Sequence, residues 1–323
     1  MADNDKNLPP ILGDQAWRSQ QADKHFFEPT YSGALSFLRK PYLSDFTNAD
    51  VAVTGIPFDG AVTYRPGCRL GPRAIRAASV QLAELEAFPF GFALSDYLNV
   101  VDAGDVVLNP HEPSSIFDTI YQHATDIIKT GTKMLSFGGD HFVAYPLLKA
   151  HAQAYGPVAL LQFDAHSDTW DSLGSLDHGT MFYEAVKDGI IDVDASLQIG
   201  LRTHNDRDVG MKIITAPQVH QMGPDAVLQA ITERVGDKPC YVSFDIDVLD
   251  PAFAPGTGTP VAGGLASWQA LQIIRGLGGL NLIGMDLVEV SPPFDHAEIT
   301  ALAAATIAHD WLAVLADQKR RSG

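Results

Sequence analysis

Residues 158–168 read Val-Ala-Leu-Leu-Gln-Phe-Asp-Ala-His-Ser-Asp. The apolar run Val158–Leu161 has the character of a strand buried on both faces of a parallel sheet. Asp164, His166 and Asp168 follow at i, i+2 and i+4. On an extended backbone these three share one face as the strand leaves the sheet. The carboxyl edge of a parallel sheet is where α/β proteins gather their chemistry. The rest of the chain can be searched for further ligands sent to that edge.

Working outward, short apolar runs alternate with longer amphipathic ones from residue 50 onward. Strands are expected at 51–56, 98–102, 133–137, 157–163, 196–201, 211–215, 239–245 and 281–288. Helices are expected at 71–82, 114–130, 142–155, 179–188, 223–235, 267–277 and 297–317. Gly71-Pro72 puts proline at a first helical turn, and Ser267 reads as an N-cap. Such alternation implies right-handed crossovers and an α/β fold, a three-layer α/β/α sandwich around a mostly parallel sheet of about eight strands. No linker or repeat divides the chain beyond residue 45, so 33–323 reads as one catalytic domain. Residues 1–32, with scattered Trp17, Phe26 and Phe27, read as an N-terminal arm.

Hydrophobic residues make up 46% of the 323-residue chain and charged residues 19%, a globular composition rather than a disordered one. A net charge of −17 argues against nucleic-acid binding, which needs a basic footprint. It is compatible with a cationic substrate, although a solvated acidic surface is the simpler account. Cys68 and Cys240 form no metal or redox motif, consistent with a reduced, cytoplasmic setting. No signal peptide and no apolar run of membrane-spanning length is read, so no membrane partner is expected.

Two other strand ends carry ligand-type residues. The strand 133–137 runs into Gly138-Gly139-Asp140-His141, whose glycines permit a tight turn. A lone histidine after such a turn is as readily structural. The strand 239–245 ends in Asp245-Ile246-Asp247, which on its own could be a pair of turn aspartates before Asp250-Pro251. The three ends together are harder to dismiss. Crowding Asp164, Asp168, Asp245 and Asp247 side by side is unfavourable without cations. Two divalent ions balance the four carboxylates, with His141 and His166 neutral. A set of four carboxylates and two imidazoles, without thiolate, suits Mn(II) better than structural zinc. Six ligands fill two such ions only if an aspartate is shared and a water lies between them. In a two-metal site that water becomes hydroxide near neutral pH.

The segments Gly138–His141, Asp164–Asp168 and Ser243–Pro251 resemble the three signature motifs of the ureohydrolase family, the arginase and agmatinase group of binuclear manganese enzymes. The resemblance spans roughly residues 33–315. Within the family it is closest to agmatinases, through Asp177–Phe182, Phe253–Pro260 and Glu298–Thr306. It implies an arginase-like sandwich and two Mn(II) per subunit, with nickel or cobalt as alternatives. It also implies a homotrimer or homohexamer. The implied reaction is attack of a metal-bridging hydroxide on the guanidinium carbon of a small cationic guanidino substrate. By the same resemblance, Asp168 doubles as the proton carrier to the leaving nitrogen. His178, otherwise a cap or surface histidine, becomes an acid/base or relay group near the substrate. Glu289, otherwise a turn residue, pairs with the guanidinium.

Substrate choice rests on two loops. Asp171 and Asp177 in 169–177 suit a distal ammonium, which points to agmatine, with putrescine and urea as products. Arg65 in 60–69, if turned inward, would instead favour a carboxylate, as in 4-guanidinobutyrate or 3-guanidinopropionate. A zinc deacetylase of the same fold is a further alternative, although His141 and Asp247 exceed what a single-zinc site needs.

Overall fold

A computed structural model describes residues 30–83, 85–205 and 207–323. The arm up to residue 29, including Trp17, Phe26 and Phe27, lies outside the described residues. The strands are β1 (Val51–Ile56), β2 (Val100–Asp105), β3 (Lys133–Gly138), β4 (Ala159–Phe163), β5 (Leu197–Ile199), β6 (Lys212–Ile214), β7 (Pro239–Asp245) and β8 (Asn281–Val288). They form one eight-stranded sheet of order β2-β1-β3-β8-β7-β4-β5-β6, parallel throughout. The chain runs from β3 to β4 by leaving a gap that β8 and β7 later fill. The four central strands β3, β8, β7 and β4 therefore deliver four separate loops to one carboxyl edge.

The helices are α1 (Gly71–Ser79), α2 (Ile116–Ile128), α3 (Ala144–Tyr155), α4 (Met181–Lys187), α5 (Ala216–Met222), α6 (Pro224–Val235), α7 (Ser267–Arg275) and α8 (Ile299–Ser322). One face of the sheet packs on α2, α3 and α4, and the other on α1 and α5–α8. Helix α8 is long and apolar enough to cross a membrane by composition alone, but 78% of its apolar window is buried inside the fold. Its role here is that of a core helix.

Several boundaries differ from the sequence reading. β2 extends past residue 102 to Asp105, into residues too polar for an apolar-run criterion. Arg76 of α1 explains why they are tolerated. Its guanidinium meets both oxygens of buried Asp102 (Nε–Oδ2 2.8 Å, Nη2–Oδ1 2.9 Å) and reaches Asp105 at 2.5 Å. Asp102 also accepts the Phe37 N–H at 2.7 Å. Replacing Arg76 with methionine leaves Asp102 buried without its cation. A loss of about 3–5 kcal/mol in unfolding free energy is expected in urea denaturation.

Helix α5 was not foreseen. It is short, and its start depends on Thr215, whose N–H donates to Gln218 Oε1 at 2.8 Å in a capping box. The N-cap of α7 is Ala266, not Ser267; Gln269 Oε1 accepts the Ala266 N–H at 3.0 Å. Helix α8 continues beyond 317 to Ser322 because its basic end is neutralised. Arg320 and Arg321 pair with Asp317, and Lys319 reaches Asp50.

Candidate metal centre

One row across the sheet breaks the apolar pattern expected of parallel strands. Thr54, Ser136, Asp286, Ser243, Gln162 and Gln198 are register partners on successive strands from β1 to β5. All are at most 2% exposed. Buried polar groups need partners, and several of these find them in the candidate ligands one pleat further on. Gln162 Nε2 donates to Asp164 Oδ2 at 2.8 Å, and Gln198 Nε2 donates to Gln162 Oε1 at 2.6 Å. Ser243 donates to Asp286 Oδ1 at 2.8 Å, and its oxygen lies 2.8 Å from His141 Nε2. With the serine proton committed to Asp286, His141 Nε2 is the donor, so Nδ1 is the nitrogen that would ligate a cation; without one, burial opposes protonation but Asp164, Asp168 and Asp245 raise the ring well above the usual imidazole range.

That nitrogen faces three carboxylates. His141 Nδ1 lies 3.1 Å from Asp164 Oδ2, 2.9 Å from Asp168 Oδ2 and 3.3 Å from Asp245 Oδ2. It is fully buried, yet none of these contacts has hydrogen-bond geometry. His166 Nδ1 stands 3.0 Å from Asp247 Oδ2 and 3.5 Å from Asp164 Oδ1. Two compact donor groups result: His141, Asp164 and Asp168, and Asp164, His166 and Asp247. They share Asp164, as a bridging aspartate would be shared. An orphaned imidazole nitrogen ringed by carboxylate oxygens is a donor set that fits hard divalent cations.

The charges tell the same story. Burial, then the neighbouring Asp164 charge, push Asp168 up to about 7. Burial opposes protonation of His166, but Asp247 and Asp164 prevail and raise it to about 12. Without cations the cluster balances its negative charge with protons.

Glu289 follows β8 and is 1% exposed. Its Oε1 accepts the His141 N–H at 3.0 Å and lies 2.9 Å from His178 Nδ1, while Oε2 has no partner among the described residues. Its backbone is left-handed (φ 64°), as is that of Asp168 (φ 52°), a costly conformation for either residue. A bond from Glu289 N–H to Gly139 O at 2.8 Å helps to hold it. Gly139 is itself irreplaceable there, since a Cβ would fall 1.5 Å from Phe58 O.

His178 bridges Glu289 and the loop of residues 60–69. Its Nε2 faces the Thr63 N–H at 3.0 Å and the Thr63 hydroxyl at 2.7 Å. Burial disfavours its charged form, but Glu289 outweighs that and raises it to about 9. The Thr63 amide pulls the other way, because a backbone N–H can donate only to an unprotonated Nε2. We take the ring to be the neutral tautomer carrying its proton on Nδ1, the form that satisfies both neighbours.

A cavity of about 350 Å³ opens over the cluster. Its lining includes Thr63, His166, Asp168, Trp170, Asp171, Asp177, His178, Asp245 and Thr259. Arg65 is not in that lining. Its guanidinium lies over the Tyr64 and Phe294 rings, 5.0 and 5.1 Å from their centroids. Arg69 pairs with Asp59.

The family model described as "Arginase family" matches residues 49–313. A protein named agmatinase from Chromobacterium violaceum is 56% identical over 96% of this chain and 97% of its own. The crystal structure of a hypothetical agmatinase from Burkholderia thailandensis superposes with TM-score 0.92 at 54% identity, covering 96% of this chain and 99% of that one. The proclavaminate amidino hydrolase of Streptomyces clavuligerus gives 0.86 at 40% identity, over 90% and 100%. The chain belongs to the arginase family. It is a ureohydrolase, and the arginase-like sandwich that the family resemblance implied is the fold observed.

In this arginase-family chain the six expected ligands, His141, Asp164, His166, Asp168, Asp245 and Asp247, converge at one sheet edge, with His178 and Glu289 beside them. Sequence reasoning missed Gln162, Ser243 and Asp286, which hold the ligands, and Thr63, which holds His178. The signal was present for some: a lone Asp inside the apolar strand Asn281–Val288 has no structural reason unless it serves a buried partner. Ser243→Ala is expected to weaken divalent-metal affinity about 10–100-fold, read by calorimetric titration, with the circular dichroism spectrum unchanged.

Proposed function

We propose that the protein hydrolyses agmatine to urea and putrescine at a centre of two divalent cations, manganese by preference. The observation that carries the substrate is the cavity lining. Besides Asp168 and Asp245, whose charge the cations would offset, it holds Asp177 and the Arg207-paired Asp171, and among the described residues no lysine or arginine lines it, which suits a distal ammonium and disfavours a guanidino acid. The similarity to agmatinases agrees.

His141, Asp164, Asp168 and Asp245 would hold one ion, and Asp164, His166 and Asp247 the other. Bound there, divalent cations would supply a water acidic enough to attack as hydroxide at neutral pH. The chain's own residues do the rest. Glu289 accepts a guanidinium N–H with its free Oε2 and orients the carbon for attack. His178 holds the other Glu289 oxygen and restores the proton balance. Asp168, which lines the cavity, takes the proton that the attacking water gives up and passes it to the departing nitrogen as the carbon–nitrogen bond breaks, so that the amine leaves neutral. We further read the protein as a cytoplasmic homotrimer or homohexamer.

The test is urea release with added Mn(II) from agmatine, 4-guanidinobutyrate, 3-guanidinopropionate, arginine and guanidine. Agmatine should give the highest kcat/KM; preference for a guanidino acid would overturn the substrate. One zinc per chain in the active protein would overturn the two-ion centre and favour the deacetylase alternative.

A further inference from the structure

Two aspartates line the cavity away from the ligand cluster, and they are not equivalent. Asp171 is already occupied. Its Oδ2 accepts from Arg207 Nη2 at 2.7 Å and its Oδ1 accepts the Leu173 N–H at 3.1 Å. Arg207 is itself held, with its guanidinium 4.9 Å from the Tyr183 ring centroid and its backbone N–H on Asn205 Oδ1 at 2.9 Å. A cation arriving at Asp171 would meet a carboxylate neutralised by a positive charge.

Asp177 lies on the same cavity without such a partner. Its Oδ1 accepts the Gly179 N–H at 2.9 Å, and its own N–H donates to Thr180 Oγ1 at 2.9 Å. Among the described residues no lysine, arginine or histidine pairs with it. The first bond fixes one carboxylate oxygen and the second anchors the backbone behind it, and neither brings a counter-charge. Trp170 lines the same cavity, with its backbone N–H donating to Gly179 O at 3.0 Å. Gly179 separates the two: a Cβ there would sit 3.5 Å from Asp177 Oδ1 and 3.6 Å from Trp170 Cδ1. A preset carboxylate and an indole edge flanking a methyl-sized space form a seat for an alkylammonium group, through ion pairing with the carboxylate and packing against the indole.

We propose that Asp177, with Trp170, recognises the distal ammonium of the substrate and so sets the preference for agmatine, and that Asp171 does not. This rests on the agmatine reading above. The discriminating measurement is the ratio of kcat/KM for agmatine to that for n-butylguanidine, which has the same chain without the amine. Asp177→Asn should lower the ratio about 10–100-fold, almost entirely through the KM for agmatine. Gly179→Ala, which needs no backbone change, should raise the KM for agmatine by filling the seat, while turnover of unsubstituted guanidine changes far less. If Asp171→Asn rather than Asp177→Asn collapses the ratio, or if Asp177→Asn leaves it intact, the inference is overturned and the agmatine reading stands. If the wild-type protein itself shows no preference for agmatine over n-butylguanidine, both fail together. Retention of n-butylguanidine turnover by Asp177→Asn guards against mistaking misfolding for loss of recognition.

Discussion

Asp164→Asn is expected to lower urea release by about three orders of magnitude or more, and chelation of divalent cations should do the same reversibly. Asp164 is the residue common to both donor groups, fully buried, with each oxygen committed. Oδ2 faces His141 and the Gln162 amide; Oδ1 faces His166 and its N–H at 2.6 Å. An asparagine keeps the volume but offers one oxygen and an NH₂ that points hydrogens at a cation. Metal assistance of this kind contributes several kcal/mol to transition-state stabilisation, and each ~1.36 kcal/mol is a factor of ten in rate.

The same centre makes metal binding pH-dependent. His166 is raised to about 12, so without metal it holds a proton at neutral pH. A cation must displace that proton, so affinity should rise with pH and binding should release protons, as seen by titration in buffers of different ionisation enthalpy. Ligation only to the folded state also raises stability, by about 2.7 kcal/mol at a hundredfold excess over Kd, visible as a higher Tm with Mn(II). A chelated protein with undiminished activity would sink the metal centre altogether.

Glu289→Gln is the second large effect, with an expected loss of about 30- to 3000-fold in kcat/KM. The carboxylate is buried and holds three things at once: the His141 amide, the His178 ring and, through its unpartnered Oε2, the place we assign to a guanidinium N–H. Removing the charge from a buried, hydrogen-bonded ion pair costs about 2–5 kcal/mol, and here the lost partner is the substrate's reacting end. Metal content should change little, because Glu289 touches His141 only through its backbone N–H. A variant that loses metal along with activity would move Glu289 from substrate recognition to support of the centre.

How far the sequence alone could carry these arguments differs from residue to residue. The ligand sets at 164–168 and 245–247 were legible because period-2 spacing after an apolar strand is a local property, carried by the backbone itself. His141 was legible through the glycine pair before it. Glu289 and His178 were legible only through family resemblance, since their pairing joins the end of β8 to a loop more than 100 positions away in the chain. The boundary errors at β2 and α8 share a cause. Polar residues read as element ends were neutralised by ion pairs, with distant Arg76 in one case and with Asp50 and the nearby Asp317 in the other.

By itself, then, the sequence determined the parallel α/β architecture, the count of strands and the identity of the residues at three strand ends, because hydrophobic periodicity and ligand chemistry are written position by position. Tertiary structure decided what those ends do to one another. It set β3, β8, β7 and β4 side by side, so that four loops meet; it turned Arg65 onto aromatic rings; and it paired Arg207 with Asp171 while leaving Asp177 without a cationic partner among the described residues. Such outcomes depend on which distant side chain arrives first at a buried or crowded carboxylate, and electrostatic partnership across the fold has no signature in local spacing.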